Sequence, residues 1–199
     1  MASSSVNGTK PQPVIVVTGT SGAGKGTIER ILLERMPELE LAVSATTRER
    51  RANEVDGQHY WFLSDQEFDR LLDEKGFLEY VTFPWGQRSG TLRSEIDRIR
   101  SEGRVPLLDL ETDGALYVQE TVPGAVTIFV NAPSFEELER RLRARATESA
   151  GEIDERLALA REQLEQAVEF DHVIVNDDLE RAAGEVEAIV RNEIAPQLR

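Results

Sequence analysis

Val14-Ile15-Val16-Val17-Thr18 runs into Gly19-Thr20-Ser21-Gly22-Ala23-Gly24-Lys25-Gly26-Thr27, and a helix-forming stretch follows to about Met36. The spacing is G-x-x-x-x-G-K, set between a buried strand and the start of a helix, which is the context a phosphate-binding loop requires. Glycines let successive backbone N–H groups point inward around phosphate oxygens without Cβ clashes. The helix N-terminus adds its partial positive charge. Gly19, Ser21, Gly22, Ala23, Gly24, Lys25, Gly26 and Thr27 therefore form a candidate nucleotide cradle, with Lys25 reaching toward the β- and γ-phosphates. Position 26 carries Gly where such loops usually carry a Mg²⁺-binding Ser or Thr, so that hydroxyl is missing.

Outward from the loop, short apolar β-branched runs alternate with helical stretches. Leu41–Val43, Tyr60–Leu63 and Phe77–Phe83 read as strands, and so do Val105–Leu110, Val126–Val130 and Val173–Val175. Ser64-Asp65-Gln66-Glu67 and Ser134-Phe135-Glu136-Glu137 read as capping boxes that open helices to about Lys75 and Ala146. Thr91–Glu102, Ile153–Phe170 and Leu179–Ile194 read as further helices. Strands alternating with helices of ten or more residues imply βαβ units and a parallel sheet. The expected fold is α/β, a P-loop NTPase-type parallel sheet flanked by helices. Residues 41–91 break the rhythm with closely spaced strands and read as an inserted substrate-binding subdomain.

The chain has 199 residues, 40% hydrophobic, which suits one domain. Met1 to Gln12 is polar, lacks the apolar core of a signal peptide and reads as a disordered tail. No apolar run approaches the roughly 18–20 residues of a membrane span. Cysteine is absent, which excludes disulfides and thiolate chemistry. The expected compartment is the cytoplasm. A net charge of −14 repels nucleic acid and anionic membrane, and neither is an expected partner. The cations are 20 Arg against 3 Lys, clustered at Arg48, Arg50 and Arg51 and again at Arg140, Arg141, Arg143 and Arg145. Arg binds phosphate oxygens in bidentate fashion. Asp109 closes an apolar strand in the manner of a Walker-B carboxylate.

The G-K-G-T form of the loop resembles that of nucleoside-monophosphate kinases. The stretches Ser44-Ala45-Thr46-Thr47-Arg48, Glu54-Val55-Asp56-Gly57, Tyr60 with Phe62, Phe77-Leu78-Glu79, Gly90-Thr91 and Val173 to Leu179 are similar to guanylate kinases, over about residues 14–194. The resemblance implies transfer of the γ-phosphoryl group of ATP to GMP, with Mg²⁺ held mainly through phosphates and water, by Thr27 or Asp109. It implies that Arg48, Arg51 and Tyr60 hold the GMP phosphate and that Ser44, Glu79 and Thr91 read guanine, with Gly90 and Asp109 beside them. It implies a lid over ATP at about 134–160, with Arg145 and Arg156 stabilising the transferring group, and an adenine contact at Asn176. The core would then be 13–40, 92–133 and 171–199, and the GMP-binding subdomain about 41–91. His59 reads as an exposed loop residue and His172 as a strand-edge residue.

The chain departs from the family pattern at Ser89, where Tyr is usual, at Ala146, where Gly is usual, and at Thr112-Asp113. Two other readings stay open at this point. One is a kinase of the same fold with a different phosphorylated acceptor. The other is a non-catalytic protein-binding module of the guanylate kinase type.

Overall fold

The computed structural model describes residues 13–83, 85–144 and 150–195. The expected tail, Met1 to Gln12, and Arg145 in the expected lid lie outside them. β1 (Val14–Gly19) is buried along its whole length, which suits a central strand covered on both faces. It pairs in parallel with β7 (Val105–Asp109) on one side and β8 (Ala125–Asn131) on the other. β2 (Leu39–Leu41) adds beyond β7, and β9 (His172–Val175) beyond β8. The five strands are all parallel, in the order β2-β7-β1-β8-β9.

α1 (Lys25–Arg35) and α7 (Leu179–Ile194) cover one face. Ile28, Leu32, Val186 and Val190 pack there against Ile15, Val17 and Ile128. α3 (Arg93–Ser101) and α4 (Thr112–Thr121) cover the other face. Ile96, Ile99, Ala115 and Val118 pack there against Val14, Val16 and Phe129. α5 (Phe135–Ala144) and α6 (Ala150–Gln166) keep a small apolar cluster of their own, with Leu138, Leu142 and Leu157 at its centre. Among the described residues no helix is long and apolar enough to cross a membrane.

Residues between β2 and α3 build a second, mixed sheet. Its strands are β3 (Ala45–Thr46), β4 (Trp61–Phe62), β5 (Phe77–Thr82) and β6 (Arg88–Leu92), in the order β4-β3-β6-β5. α2 (Asp65–Asp73) lies across it and buries Phe68 against Phe77, with ring centroids 4.3 Å apart. Ser64 caps α2 with a complete capping box.

Several expectations shift. The Thr91–Glu102 helix divides into a strand ending at Leu92 and a helix that begins at Arg93, so Thr91 is a strand residue. The Leu41–Val43 strand ends at Leu41, and β3 had no apolar run to announce it. α6 gives way to a 3-10 turn over Ala167–Glu169, short of Phe170. Only half of the second capping box forms. The Glu137 N–H donates to Ser134 Oγ at 3.2 Å, but the Glu137 carboxylate is taken by Arg140 and Arg141.

β5 and β6 approach so closely that a Cβ on Gly90 would stand 2.6 Å from the Glu79 carbonyl oxygen and 2.8 Å from Tyr80 Cβ. Gly90→Ala is expected to part the two strands at a cost of ~1–3 kcal/mol. At this chain size that lowers the melting temperature by about 2–4 °C per kcal/mol. A variant that melts with the parent would show that the strands yield without penalty.

Candidate active site

The loop after β1 is shaped by Gly19, Gly22 and Gly24, all at positive φ. A Cβ on Gly19 would overlap the Val130 carbonyl oxygen, 2.0 Å away, and one on Gly24 would stand 2.4 Å from Asn176 Nδ2. Gly24 is the N-cap of α1 and no side chain caps it, so the positive end of that helix stays open to an anion. α5 packs on the loop from outside. Arg141 donates to the Ala23 carbonyl at 3.3 Å and to the Asn176 carbonyl at 3.0 Å, while Glu137 holds its Nε at 2.8 Å.

The parallel register sets Asp109, the last residue of β7, opposite Val17. There Asp109 pairs with Lys25. Burial works against the lysine charge, but Asp109, Glu29 and Glu111 together outweigh it, and Lys25 is held above its ordinary pKa. Glu29, one turn into α1, is 5% exposed. Burial first, and then the Asp109 charge, push its carboxyl up to about 7.

Two cavities meet at this point. The larger, about 900 Å³, is lined by Lys25, Ser44, Arg48, Tyr60, Glu79, Ser89, Gly90, Asp109 and Glu111. The smaller, about 470 Å³, is lined by Gly19 to Gly22, Gly24 to Thr27, Arg156, Gln163 and Glu111. Lys25 and Glu111 line both.

Glu79 is buried despite standing on a strand where simple alternation would leave it free to face solvent. A register shift between Phe77 and Glu79 turns Phe77, Leu78 and Glu79 all inward. Its Oε1 accepts from Thr91 Oγ1 at 2.8 Å, and Gly114 leaves room beside its other oxygen, 3.1 Å from where a Cβ would stand. Burial raises the Glu79 pKa against the opposing effect of the Thr91 hydrogen bonds. Arg48 is gripped in bidentate fashion by Glu54, at 2.7 and 3.0 Å, and lies over the Tyr60 ring, 5.3 Å from its centroid.

Among the described residues, most of those singled out from sequence converge on the two cavities, with four exceptions. Arg51 is exposed on the Arg48 loop and does not line the larger cavity; its backbone N–H donates to Glu54 at 2.8 Å. Thr91 acts through Glu79 from beneath. Asn176 lies under the loop, its amide donating to the Ala23 carbonyl at 2.7 Å, and so props the cradle from the inside. Ala23 is likewise turned into the core.

Reasoning from sequence alone did not select Glu54, Gln163 or Glu29. Glu54 sits six residues after Arg48, within the E-V-D-G piece. Gln163 lies seven residues after Arg156, two helical turns along one face, and donates to Glu111 at 3.2 Å. Arg88, adjacent to Ser89, is locked on the far side of β6 by Asp65 and Asp69 and by the Phe68 ring, 4.5 Å away, so it does not reach the cavity. His59 accepts from the Val55 N–H at 3.0 Å in an exposed loop, and His172 opens the edge strand β9.

The family model described as "Guanylate kinase" matches residues 10–193. A guanylate kinase of Prochlorococcus marinus is 46% identical over 190 residues, covering 96% of this chain and 98% of its own. One from a Synechococcus species is 48% identical over 172 residues, covering 86% and 90%. The crystal structure of guanylate kinase from Anaplasma phagocytophilum superposes with a TM-score of 0.71 at 29% identity, over 92% of this chain and 86% of that one.

The Arg48 and Arg51 hydrogen bonds hold the Glu54 carboxyl at about 2, against an ordinary 4.5. A depressed acid contributes stability that is complete above its unfolded value and is lost as pH falls through its folded value. Glu54→Gln is therefore expected to flatten the acid limb of stability between about pH 4.5 and 2, measured by denaturant unfolding across that range. An unchanged acid limb would show that Glu54 and Arg48 do not pair in solution.

Proposed function

This chain belongs to the guanylate kinase family, and on that premise we propose that it transfers the γ-phosphoryl group of ATP to GMP across the point where the two cavities meet. The observation that carries the reading is the sharing of Lys25 and Glu111 by both cavities. A donor in the smaller and an acceptor in the larger would face each other there.

In this reading the second sheet is the GMP-binding unit and α5 with the first part of α6 is the lid. The Gly19–Thr27 loop cradles the ATP phosphates with its backbone N–H groups. Arg48 and Tyr60 hold the GMP phosphate, with Arg51 in reserve on the same loop. Glu79 accepts from the guanine N1–H and N2–H₂, oriented by Thr91, and Ser44 lines the same wall. Arg156 reaches the transferring group from α6, and Arg145 is assigned the same task from sequence.

Phosphoryl transfer needs in-line positioning and charge neutralisation rather than covalent help from the protein. The acceptor phosphate is already anionic, so no general base is required. Lys25 exchanges Asp109 for the phosphates and stays charged throughout.

Mg²⁺ suits carboxylate, phosphate and water oxygens, and the cavity linings offer such oxygens from Glu111 in both, Asp109 in the larger and the exposed Thr27 in the smaller. Asp109 would hold the ion, directly or through water, and Thr27 would stand beside it. When bound, Mg²⁺ neutralises charge on the β- and γ-phosphate oxygens.

GMP is expected to exceed AMP by about a hundredfold or more in kcat/KM, because a site built for one polar edge leaves buried groups unpaired against another. A coupled ADP-release assay with ATP-Mg²⁺ and each of GMP, dGMP, AMP, CMP and UMP measures it. Equal rates with AMP and GMP would favour a different acceptor. In the same assay Glu79→Gln is expected to raise the GMP KM strongly and leave the ATP KM alone; a parallel loss of both would make Glu79 a structural residue.

Ser89 Oγ donates to the Ala45 carbonyl at 3.0 Å. It is thereby committed to the neighbouring strand. With Arg88 held on the far side, nothing on β6 replaces the hydroxyl that a Tyr would extend toward the GMP phosphate. A hydrogen bond to a charged group contributes about 1.5–3 kcal/mol, or roughly ten- to a hundredfold in affinity. Ser89→Tyr is accordingly expected to lower the GMP KM by about an order of magnitude without altering the ATP KM. An unchanged GMP KM would remove residue 89 from the phosphate site.

A further inference from the structure

Position 26 lacks the hydroxyl with which a phosphate-binding loop usually meets its metal, and the structure has another oxygen facing the gap. Leaving aside its chain neighbours Lys25 and Thr27 and its own helix backbone, a Cβ on Gly26 would meet Glu29 Oε2, at 3.9 Å, within van der Waals distance. Glu29 follows Gly26 by three residues and Lys25 by four, so all three share one face of α1.

Its setting is otherwise hard to account for. Glu29 stands beside Ile28, Ile31 and Leu32, all buried, and is itself 5% exposed. Its Oε1 has no hydrogen-bond partner among the described residues. Burying a carboxylate costs free energy unless the group is paired or binds a metal. Among the described residues, the charges that act on Glu29 are Lys25, which is paired with Asp109, and Asp109 itself, which repels it.

We propose that Glu29 supplies, directly or through one water, the oxygen that a Ser or Thr at position 26 would offer to the divalent cation of the bound nucleotide. The proposal rests on the kinase reading above. Among the described residues no three Asp, Glu, His or Cys side chains gather closely enough to hold an ion by themselves. The cation therefore arrives with the nucleotide, whose phosphates complete its ligands, as Mg²⁺ prefers. Asp109 and Glu29, which repel each other in the free protein, then face a shared cation, and Lys25 is released to the phosphates.

The test uses the full chain, a non-hydrolysable β,γ-imido analogue of ATP, and Mn²⁺ as the metal probe. Calorimetry gives the nucleotide affinity with Mn²⁺ and with EDTA. The parent protein is expected to bind more tightly with Mn²⁺. In Glu29→Leu and Glu29→Gln that gain is expected to fall by about ten- to a hundredfold, the scale seen when metal-supporting residues are lost, while affinity in EDTA holds. Gly26 is not at positive φ, and a Cβ there would stand at ordinary van der Waals distance from Glu29 Oε2, so a serine fits. Adding Gly26→Ser to Glu29→Leu is expected to restore the metal-dependent gain. Thermal melting of each variant confirms folding. A full Mn²⁺ gain in folded Glu29→Leu, no rescue by Gly26→Ser, or no Mn²⁺ gain in the parent would each overturn the inference while leaving the kinase reading standing. Failure of the parent to bind the analogue at all would overturn both.

Discussion

The site depends on β1 lying in parallel between β7 and β8. That pairing aims the end of β1, and so the phosphate-binding loop, at the same edge of the sheet as Asp109. It is held tightly, because both faces of β1 are buried and Gly19 passes so close to Val130 that no side chain fits between them. A shift of β1 against β7 would carry Lys25 away from Asp109. Lys25 would then be a buried ammonium without its chief counter-ion, and burial alone works against its charge. The ion pair is thus both a product of the register and a reason the register is kept.

Around this fixed edge the apolar groups divide into separate clusters. The second sheet buries Ala45, Phe68, Phe77 and Leu92 among themselves, and α5 with α6 buries Leu138, Leu142 and Leu157. Neither cluster is continuous with the two that sandwich the main sheet. Leu78 of β5 packs in the main-sheet core instead, but a unit with most of its buried apolar groups in a core of its own can move against its neighbour while exposing little apolar surface. On the reading proposed here, that separation is what lets the acceptor and lid units approach the fixed loop and exclude water from the transfer.

Local signals in the sequence carried the parts of the structure that local physics decides. The glycine loop, Lys25 and the Ser64 cap depend on residues within one or two turns of each other, and all three were legible. The second sheet was less so, because two-residue strands have no periodicity and depend on pairing with distant partners. β3 is held by β6, forty-odd residues later, and β6 hid behind the helix that follows it. Glu79 illustrates the gap. Its assignment as a guanine-reading residue rests on resemblance, while strand alternation leaves it as an ordinary exposed acid. The register shift that buries it has no mark in the sequence. Arg88 and Ser89 are a similar case: successive residues on an extended strand point to opposite sides, but only the structure shows Asp65, Asp69 and Phe68 waiting for the arginine. In the sequence Glu29 is one charge among many on a helix, and nothing there says that its face is buried.

A chain of net charge −14 that takes two polyanions has to keep its cations from being neutralised permanently. On the reading proposed above, it does so by pairing them in advance with carboxylates, to be exchanged for phosphate or shared with it. Lys25 has Asp109, Arg48 has Glu54, and Arg141 has Glu137. Each pair is only partly buried, so the carboxylate it releases can be taken up by water at modest cost. Phosphate binding is then an exchange of anions at cations already desolvated and oriented, rather than the ordering of loose side chains. Asp109 has a use after the exchange, since the proposed metal needs oxygens where Lys25 has just left. Glu54 stays where it is, because the Arg51 N–H as well as Arg48 holds it. The same acid can therefore keep its grip on the loop while Arg48 turns part of its fork toward the acceptor phosphate.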